Sequence, residues 1–310
     1  MLKSRGAGIY HEILRELLLN GQIVPGSKNP NSPGYNRASI EITGFQFLLS
    51  NPRARWINST TRPLNIPFCF GLAMYFLSGG KDVASIEYYN PLAVRFSDDG
   101  LTIPGSSYGS RIRIDEIFRI LQDDPTSRRA VMPIFTNSDY RESKDIPCPV
   151  ALQFLIRDDR LHCISFFRSQ NALTVFPYDL FLFTWIQEFF AMKLNYDVGD
   201  YTQITGSMHV YEDELKILRG EIQDPLEPPY EMAQMDKVDT AGFLGLESEL
   251  RKYGLRELAV PPEFDANWYN PYWQSVFHVL LAFADRRRAG ERHLRDLNLI
   301  QQVAPHLFLP

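Results

Sequence analysis

A cysteine, an arginine and an aspartate that lie close together in the chain are suited to covalent chemistry on a phosphorylated substrate. Cys148 stands between two prolines, and Arg168 and Asp179 follow it within about one supersecondary unit. A cationic arginine lowers the pKa of a nearby thiol and so increases the fraction of nucleophilic thiolate. Its planar guanidinium can also bind a phosphate through two parallel hydrogen bonds. The three residues therefore predict a nucleophilic site for a phosphate-bearing substrate.

The overall composition is that of an ordinary globular protein without a general nucleic-acid-binding surface. The chain has 310 residues, 45% of them hydrophobic and 22% charged, and a formal net charge of −5. A net negative charge confines any strongly positive surface to a local site, so nucleic acid is not an expected partner. The cysteines at 69, 148 and 163 are too few for a disulfide framework and are not spaced for a metal site. Without a signal peptide or an apolar span, we expect a cytoplasmic protein.

Hydrophobic periodicity predicts the elements that must position these residues. Helices are predicted over residues 9–19, 68–77, 111–122 and 180–192 and in the tail from 271. Strands are predicted over 39–49, 130–135, 151–157 and 160–167, and Asp158-Asp159 forms a tight turn between the last two. Prolines, glycines and acids over 221–262 indicate a long surface excursion. We expect a single α+β domain over 1–310, with a helical C-terminal extension over about 265–310.

The three residues belong to a longer series of motifs with a fixed order. The series consists of Ser127-Arg128-Arg129, Pro147-Cys148, Arg168-Ser169, Pro177-Tyr178-Asp179 and His209-Val210-Tyr211. In this order and spacing it resembles the thymidylate synthase superfamily over most of residues 36–215. The resemblance implies a three-layer fold with a large mixed sheet flanked by helices, and a homodimer formed through the sheet.

Within that superfamily the chain resembles the cytidylate hydroxymethylase branch, because of Tyr88-Tyr89-Asn90-Pro91, Gly206-Ser207-Met208-His209 and above all Asp179. An asparagine stands at the last position in thymidylate synthases. An ionised carboxylate only accepts hydrogen bonds, so it suits the N4 amino group of cytosine and repels O4 of uracil. The resemblance implies that Cys148 adds to C6 of CMP or dCMP, and that C5 is hydroxymethylated with 5,10-methylenetetrahydrofolate as the donor.

The resemblance also implies roles for the other motif residues. Arg168 and Ser169 would bind the phosphate from the same subunit, and Arg128 and Arg129 from the partner. The remaining assignments are Tyr108 beside the nucleophile as a catalytic residue, His209 and Tyr211 at the ribose, Asn171 and Tyr89 at the cofactor, and Arg37 as the candidate phosphate-loop arginine. Asp179 could in addition cap a helix that begins at Leu180.

Several residues depart from the family pattern on the cofactor side. Leu72 stands where the family has its catalytic glutamate, which removes a general acid/base from the site. Asn171 replaces an aspartate that contacts the pterin, and Val175 replaces a glycine. Glu87 or Asp139 could act as the general acid/base in place of that glutamate. Two alternatives therefore stay open: a folate-independent reaction at C5 of a pyrimidine nucleotide, and a catalytically impaired nucleotide-binding homologue.

Overall fold

The chain forms eight strands and ten α-helices in the part that the computed structural model describes, residues 1–57, 59, 61–223, 231–265, 270–291, 294 and 297–307. The strands are β1 (Leu2–Ser4), β2 (Gln22–Val24), β3 (Ser39–Leu49), β4 (Val131–Pro133), β5 (Pro149–Arg157), β6 (Arg160–Phe167), β7 (Gln170–Asn171) and β8 (Asp197–Tyr211). The helices are α1 (Ile9–Asn20), α2 (Ile66–Ser78), α3 (Val83–Glu87), α4 (Tyr108–Arg111), α5 (Ile114–Asp123), α6 (Phe176–Leu194), α7 (Leu215–Gln223), α8 (Thr240–Gly254), α9 (Pro271–Arg288) and α10 (Leu297–Val303).

All of these strands join one mixed sheet in the order β1-β3-β8-β6-β5-β4, with β2 paired to β3 and β7 paired to β8. The long strand β8 runs antiparallel to β3 and parallel to β6, so it links the two halves of the sheet. The hairpin between β5 and β6 turns at Asp158 and Asp159, whose φ angles of 50° and 56° suit a type I′ turn. A mixed sheet flanked by helices confirms the predicted α+β class.

Helix α6 lies in the core against this sheet and carries Asp179 in its first turn. Apolar residues cover all sides of the helix, which is typical of a helix enclosed by protein. Phe183 packs edge-on against Phe167 of β6, and Phe190 stacks on Phe154 of β5. These contacts fix the start of α6 over the sheet, and the carboxylate of Asp179 is thereby held inside the protein.

Several elements differ from the sequence prediction. Helix α6 begins at Phe176 rather than Leu180, because Pro177 is well tolerated in a first helical turn, so Asp179 is not the N-cap. The predicted surface excursion contains helix α8, which buries Phe243 and Leu250; residues 224–230 of that excursion lie outside the described residues. Strand β8 was not predicted. None of the described helices is long and apolar enough to cross a membrane.

Candidate active site

Cys148 and Arg168 meet at the start of the β5–β6 hairpin. The Nη2 atom of Arg168 lies 3.8 Å from the Cys148 sulfur, and the backbone N–H of Arg168 donates to the Cys148 carbonyl at 2.9 Å. The same guanidinium donates to the carbonyls of Pro147 and Ile146, at 2.9 and 3.1 Å. A Cβ on Gly206 would crowd the Arg168 carbonyl, so glycine is required there for β8 to approach. The nucleophile and the phosphate-binding arginine predicted from the sequence therefore lie side by side.

The Cys148 thiol is less acidic than the neighbouring arginine alone would make it. Burial raises its pKa, and this effect exceeds the opposing effect of Arg168; the negative charge of Asp179 raises it further. The residue itself is partly exposed, so a substrate can reach the sulfur. The expectation that Arg168 makes this thiol more acidic overall is wrong for the nucleotide-free protein, because desolvation opposes the thiolate more strongly than the arginine supports it.

Tyr108 reaches the site through a loop that Asp145 holds in place. The buried carboxylate of Asp145 accepts hydrogen bonds from the backbone N–H of Gly105, from the N–H of Ser106 at 2.8 Å and from its hydroxyl at 2.6 Å. The ring of Tyr108 stacks on Phe183, 5.9 Å away between centroids. Burial raises the Tyr108 pKa well above its usual range, and the charges of Asp179 and Cys148 contribute. Tyr108 thus lies within electrostatic reach of Cys148, and its catalytic role stays a prediction.

Asp145 was not assigned a role from the sequence, although it precedes Cys148 by three positions. We expect Asp145→Ala to lower the free energy of unfolding by about 1–3 kcal/mol, because it leaves buried N–H groups unpaired. Asp98→Ala is the control. Asp98 accepts hydrogen bonds from Ser143 and Lys144, the two residues that precede Asp145, but its own side chain is exposed. Urea denaturation measures both, and equal losses for the two variants would contradict the assigned role.

Asp179 presents a buried carboxylate to the same space. It is 6% exposed, and one of its oxygens, Oδ2, accepts a hydrogen bond from Gln170 Nε2 at 2.6 Å. Burial raises its pKa to about 7, and the hydrogen bond from Gln170 acts in the opposite direction. Its charge is felt at Cys148 and at Tyr108, so the acid lies within electrostatic reach of the nucleophile.

The residues predicted to bind phosphate and ribose line the other side of Arg168. The Ser169 hydroxyl lies 3.5 Å from Nδ1 of His209, and the His209 ring packs edge-on against Tyr211 with 5.1 Å between centroids. Burial lowers the His209 pKa, which favours the neutral imidazole. The Arg37 guanidinium stacks over the Tyr211 ring at 3.9 Å and donates to both oxygens of Asp213, at 2.6 and 3.0 Å. Arg37 therefore lies beside Tyr211, one of the two residues predicted to contact the ribose.

Arg128 and Arg129 are not brought to Cys148 within one chain. They precede β4, whose pairing with β5 sets them opposite the far end of that strand, about 20 Å from Cys148 at the rise of an extended strand. There they line an open cleft of about 600 Å³ together with Arg157. A shared phosphate site with Arg168 therefore requires a second subunit.

The residues assigned to the cofactor have their polar atoms bonded within the protein. The Asn171 amide donates to Glu214 at 2.8 Å, and its oxygen accepts from the N–H groups of Leu173 and Thr174 at 2.9 and 2.7 Å. These are the contacts of a residue that closes a turn, and they leave one of its two amide N–H groups for a ligand. The Asn171 assignment stays a prediction without support from this geometry.

Tyr89 is likewise enclosed. Its ring stacks on Phe283 and presses on Gly71 of α2, and its hydroxyl donates to the buried Glu247 at 2.7 Å. At 2% exposure the side chain offers no surface to a ligand. Tyr89 therefore does not fit a pterin ring, and Asn171 offers at most one amide N–H to it.

Leu72 lies on α2, partly buried against the core, so the position expected for a catalytic glutamate is apolar. The two acids considered as substitutes lie in different surroundings. Asp139 is buried and binds Arg111 through both oxygens, at 2.7 and 2.8 Å, while Glu87 is exposed at the end of α3. The ion pair holds the Asp139 pKa below its usual value despite burial. Asp139 is therefore a structural anion rather than a proton donor.

Comparison with known proteins agrees with the fold. The family model for thymidylate synthase matches residues 97–253. A deoxyuridylate hydroxymethyltransferase of Bacillus phage SP01 is 29% identical over 234 residues, which cover 68% of this chain and 58% of that protein. A thymidylate synthase of Buchnera aphidicola is 24% identical, with 69% of this chain and 83% of that protein covered.

A solved structure, the thermostable thymidylate synthase A from Bacillus subtilis, superposes with a TM-score of 0.60 at 19% sequence identity. The superposition covers 74% of this chain and 88% of that chain, and it supports the three-layer fold. The chain belongs to the thymidylate synthase family. The resemblance predicted from the order of the motifs is thereby confirmed.

Proposed function

We propose that the protein transfers a one-carbon unit to C5 of a cytidine monophosphate, CMP or dCMP, to give the 5-hydroxymethyl nucleotide. The Cys148 thiolate adds to C6, and the electron pair displaced from the C5–C6 double bond makes C5 the nucleophile. C5 takes up a carbon at the oxidation level of formaldehyde and loses its proton. Loss of that proton expels the group that carried the carbon and leaves an exocyclic methylene on C5, with the sulfur still on C6. Water adds to this methylene, and departure of the Cys148 thiolate from C6 restores the C5–C6 double bond and leaves CH2OH on C5.

The observation that carries the proposal is the buried acid beside the thiol. Asp179 is enclosed by protein, and one oxygen is already bonded to Gln170. The other oxygen is the acceptor that we assign to the N4 amino group of cytosine. Uracil presents O4 there instead, and two acceptors that face each other in a buried site repel.

A homodimer is part of the proposal. Four residues are assigned to the phosphate, and two of them, Arg128 and Arg129, reach it only from a partner subunit. The sheet face turned away from α6 carries half-exposed apolar residues on adjacent strands, namely Leu155, Ile164, Phe166 and Ile204. An open apolar face of this kind suits an interface between subunits. Packing two such faces together would bring Arg128 and Arg129 of the partner subunit to the phosphate held by Arg168.

5,10-Methylenetetrahydrofolate remains the proposed one-carbon donor on the strength of family membership, since Tyr89 is enclosed by protein and Asn171 has at most one amide N–H to offer. The assay therefore has two arms. Incubation of CMP or dCMP with this donor should yield a product heavier by one CH2O unit, and its absence with folded, nucleotide-binding protein would contradict the transfer. Loss of the C5 hydrogen without any donor would instead support the folate-independent alternative.

Uridylate is the second candidate substrate, because the phage relative is a deoxyuridylate hydroxymethyltransferase. The pKa of Asp179 near 7 gives a way to separate the two. Above that pH the carboxylate accepts from cytosine; below it the acid gains a proton and can donate to O4 of uracil. We therefore expect the ratio of CMP to UMP affinity to rise as the pH rises from 6 to 8.

Isothermal titration calorimetry with both nucleotides measures this ratio. The same titrations with Asp179→Asn are the control, because the nucleotide phosphate titrates near pH 6 in both proteins and only the acid is removed. A ratio that is independent of pH in the unmodified protein, or one that favours UMP throughout, would contradict the assignment of Asp179 to cytosine.

A further inference from the structure

A row of buried polar side chains leads from the sheet to Asp179. The Tyr201 hydroxyl, 2.7 Å from the hydroxyl of Ser165, donates to Gln203 Oε1 at 3.1 Å. Gln203 Nε2 donates to Gln170 Oε1 at 2.7 Å, and Gln170 Nε2 donates to Asp179 Oδ2 at 2.6 Å. We call these four residues before the acid, Ser165, Tyr201, Gln203 and Gln170, the polar row.

The polar row is sealed from water. Ser165, Tyr201 and Gln203 are fully buried and Gln170 is 1% exposed, in a region that otherwise consists of the apolar contacts of α6 with β5 and β6. A buried amide or hydroxyl is costly unless it is bonded, so such a row is tolerated only when each member has a partner. Gln203 meets this condition fully, because its second N–H donates to the Thr205 hydroxyl at 3.0 Å.

The row has a direction, and Asp179 sets it. An amide group has a donor end and an acceptor end, so turning Gln170 around would place its oxygen against the carboxylate. Gln203 would then also have to turn. Its hydrogen bonds to Gln170 and to the Tyr201 hydroxyl would both have to reverse direction. With the carboxylate as final acceptor, every member donates toward Asp179, and the side chain of Gln170 can present only N–H to it.

We propose that Gln170, oriented by Gln203, is a specificity-determining positioning residue that keeps Asp179 an acceptor and so sets the preference for cytosine over uracil. The inference rests on the proposed function. Gln170 occupies Oδ2 and favours the ionised form, and the second oxygen is thereby left for the N4 amino group. Family membership does not specify this pair of glutamines, since the recognised motifs include neither Gln170 nor Gln203.

The surroundings of Asp179 leave Gln170 as its supporting donor. The titratable groups that sense its charge are Cys148 before β5, Tyr108 of α4 and Tyr201 of β8. Each of these is neutral or negative in the pH range of interest, and none stabilises a carboxylate as a cation would. Removal of the Gln170 N–H should therefore raise the Asp179 pKa beyond its present value near 7.

The test compares Gln170→Met with Gln187→Met by calorimetric titration with CMP and UMP from pH 6 to 9. Methionine keeps the length of glutamine but has no N–H donor. Gln187 is an equally buried glutamine, whose Nε2 donates to the carbonyls of Leu161, Gly199 and Asp200 at 2.9, 3.0 and 3.2 Å, and these bonds involve none of the side chains of the polar row. It controls for the loss of a buried amide.

For Gln170→Met we expect the ratio of CMP to UMP affinity at pH 7.5 to fall about tenfold, and the midpoint of the pH dependence to move to higher pH. Gln187→Met should lower thermal stability but leave the ratio and midpoint unchanged. An unchanged ratio and midpoint in folded Gln170→Met overturns the proposal. Equal shifts in both variants also overturn it, because the effect would then reflect general loosening of the core.

A second variant decides the matter if Gln170→Met does not fold. Tyr201→Phe keeps the ring and removes the hydroxyl that orients Gln203, and we expect a smaller shift in the same direction. In an Asp179→Asn background the Gln170 substitution should not alter the pH dependence of the ratio, because no acid titrates there. A change in the pH dependence of the affinity ratio in that background would contradict the role of the polar row. An unchanged ratio and midpoint in Tyr201→Phe would contradict it as well.

Failure of the proposed function can be told apart from failure of this inference. If the unmodified protein prefers UMP at pH 8, the assignment of cytosine is wrong. The role of the polar row is then tested by the midpoint of the pH dependence of UMP affinity. An unchanged midpoint in Gln170→Met overturns it. If the protein prefers CMP and only the Gln170 result is negative, the proposed function stands and the inference falls.

Discussion

Replacement of Cys148 with alanine should abolish turnover while nucleotide binding is retained. The sulfur is the group that we assign to the attack on C6, and without it C5 is not activated. The rate should fall on the order of 10⁴-fold or more, which is the scale seen when a catalytic nucleophile is removed. Product formation from CMP measured by mass spectrometry gives the rate, and calorimetric titration with CMP gives the affinity.

Cys163→Ala is the matched control for that experiment. Cys163 lies fully buried on β6 and, like Cys69, is a core residue whose thiol pKa is raised by burial alone or nearly so. Its removal should cost stability through the small cavity that it leaves and should spare most of the turnover. Retained turnover in Cys148→Ala would exclude covalent catalysis through this sulfur. Nucleotide binding without turnover in the unmodified protein would instead favour a nucleotide-binding role for this homologue.

Asp179→Asn should reverse the base preference. Gln170 would hold the amide oxygen of the new side chain, as it now holds Oδ2, so the amide nitrogen would face the base and donate to O4 of uracil. Loss of a charge-assisted hydrogen bond to cytosine should lower kcat/KM for CMP by about 10–100-fold. The value for UMP should rise, because an acceptor facing an acceptor is replaced by a donor.

Competition between CMP and UMP in one reaction measures the reversal directly, since both products are quantified against the same active enzyme. Glu188→Gln is not a suitable control, because Glu188 pairs with the buried Arg55. Asp213→Asn serves better: it removes a carboxylate near Arg37 at the ribose side and should affect both nucleotides alike. A loss of CMP activity in Asp179→Asn without any gain for UMP would reject the proposed role in base selection.

The chemistry-bearing residues were predictable because their order in the chain is characteristic. Cys148, Arg168 and Asp179 were identified from type and spacing, and the structure brings all three together with Tyr108. Strand β6 was predicted at its observed bounds, since its alternating apolar residues have the period of a half-buried strand. The local sequence pattern was sufficient for features that depend only on residues near one another in the chain.

Features that depend on tertiary contacts were not predictable. Asp145 acts through Gly105 and Ser106, which lie about 40 positions earlier in the chain. The polar row depends on strand register: β7 and β8 must pair for Gln170 and Gln203 to approach. The direction of the Cys148 pKa shift was not predictable either, because it depends on whether burial or the charge of Arg168 has the larger effect.

The most direct test of the central claim is release of tritium from C5 of labelled CMP and labelled UMP. Addition of Cys148 to C6 is what loosens the C5 hydrogen, whatever one-carbon donor follows. At pH 8 we predict faster release from CMP than from UMP, and no release from either with Cys148→Ala. Faster release from UMP would contradict the role of Asp179, and undiminished release by Cys148→Ala would contradict the covalent mechanism itself.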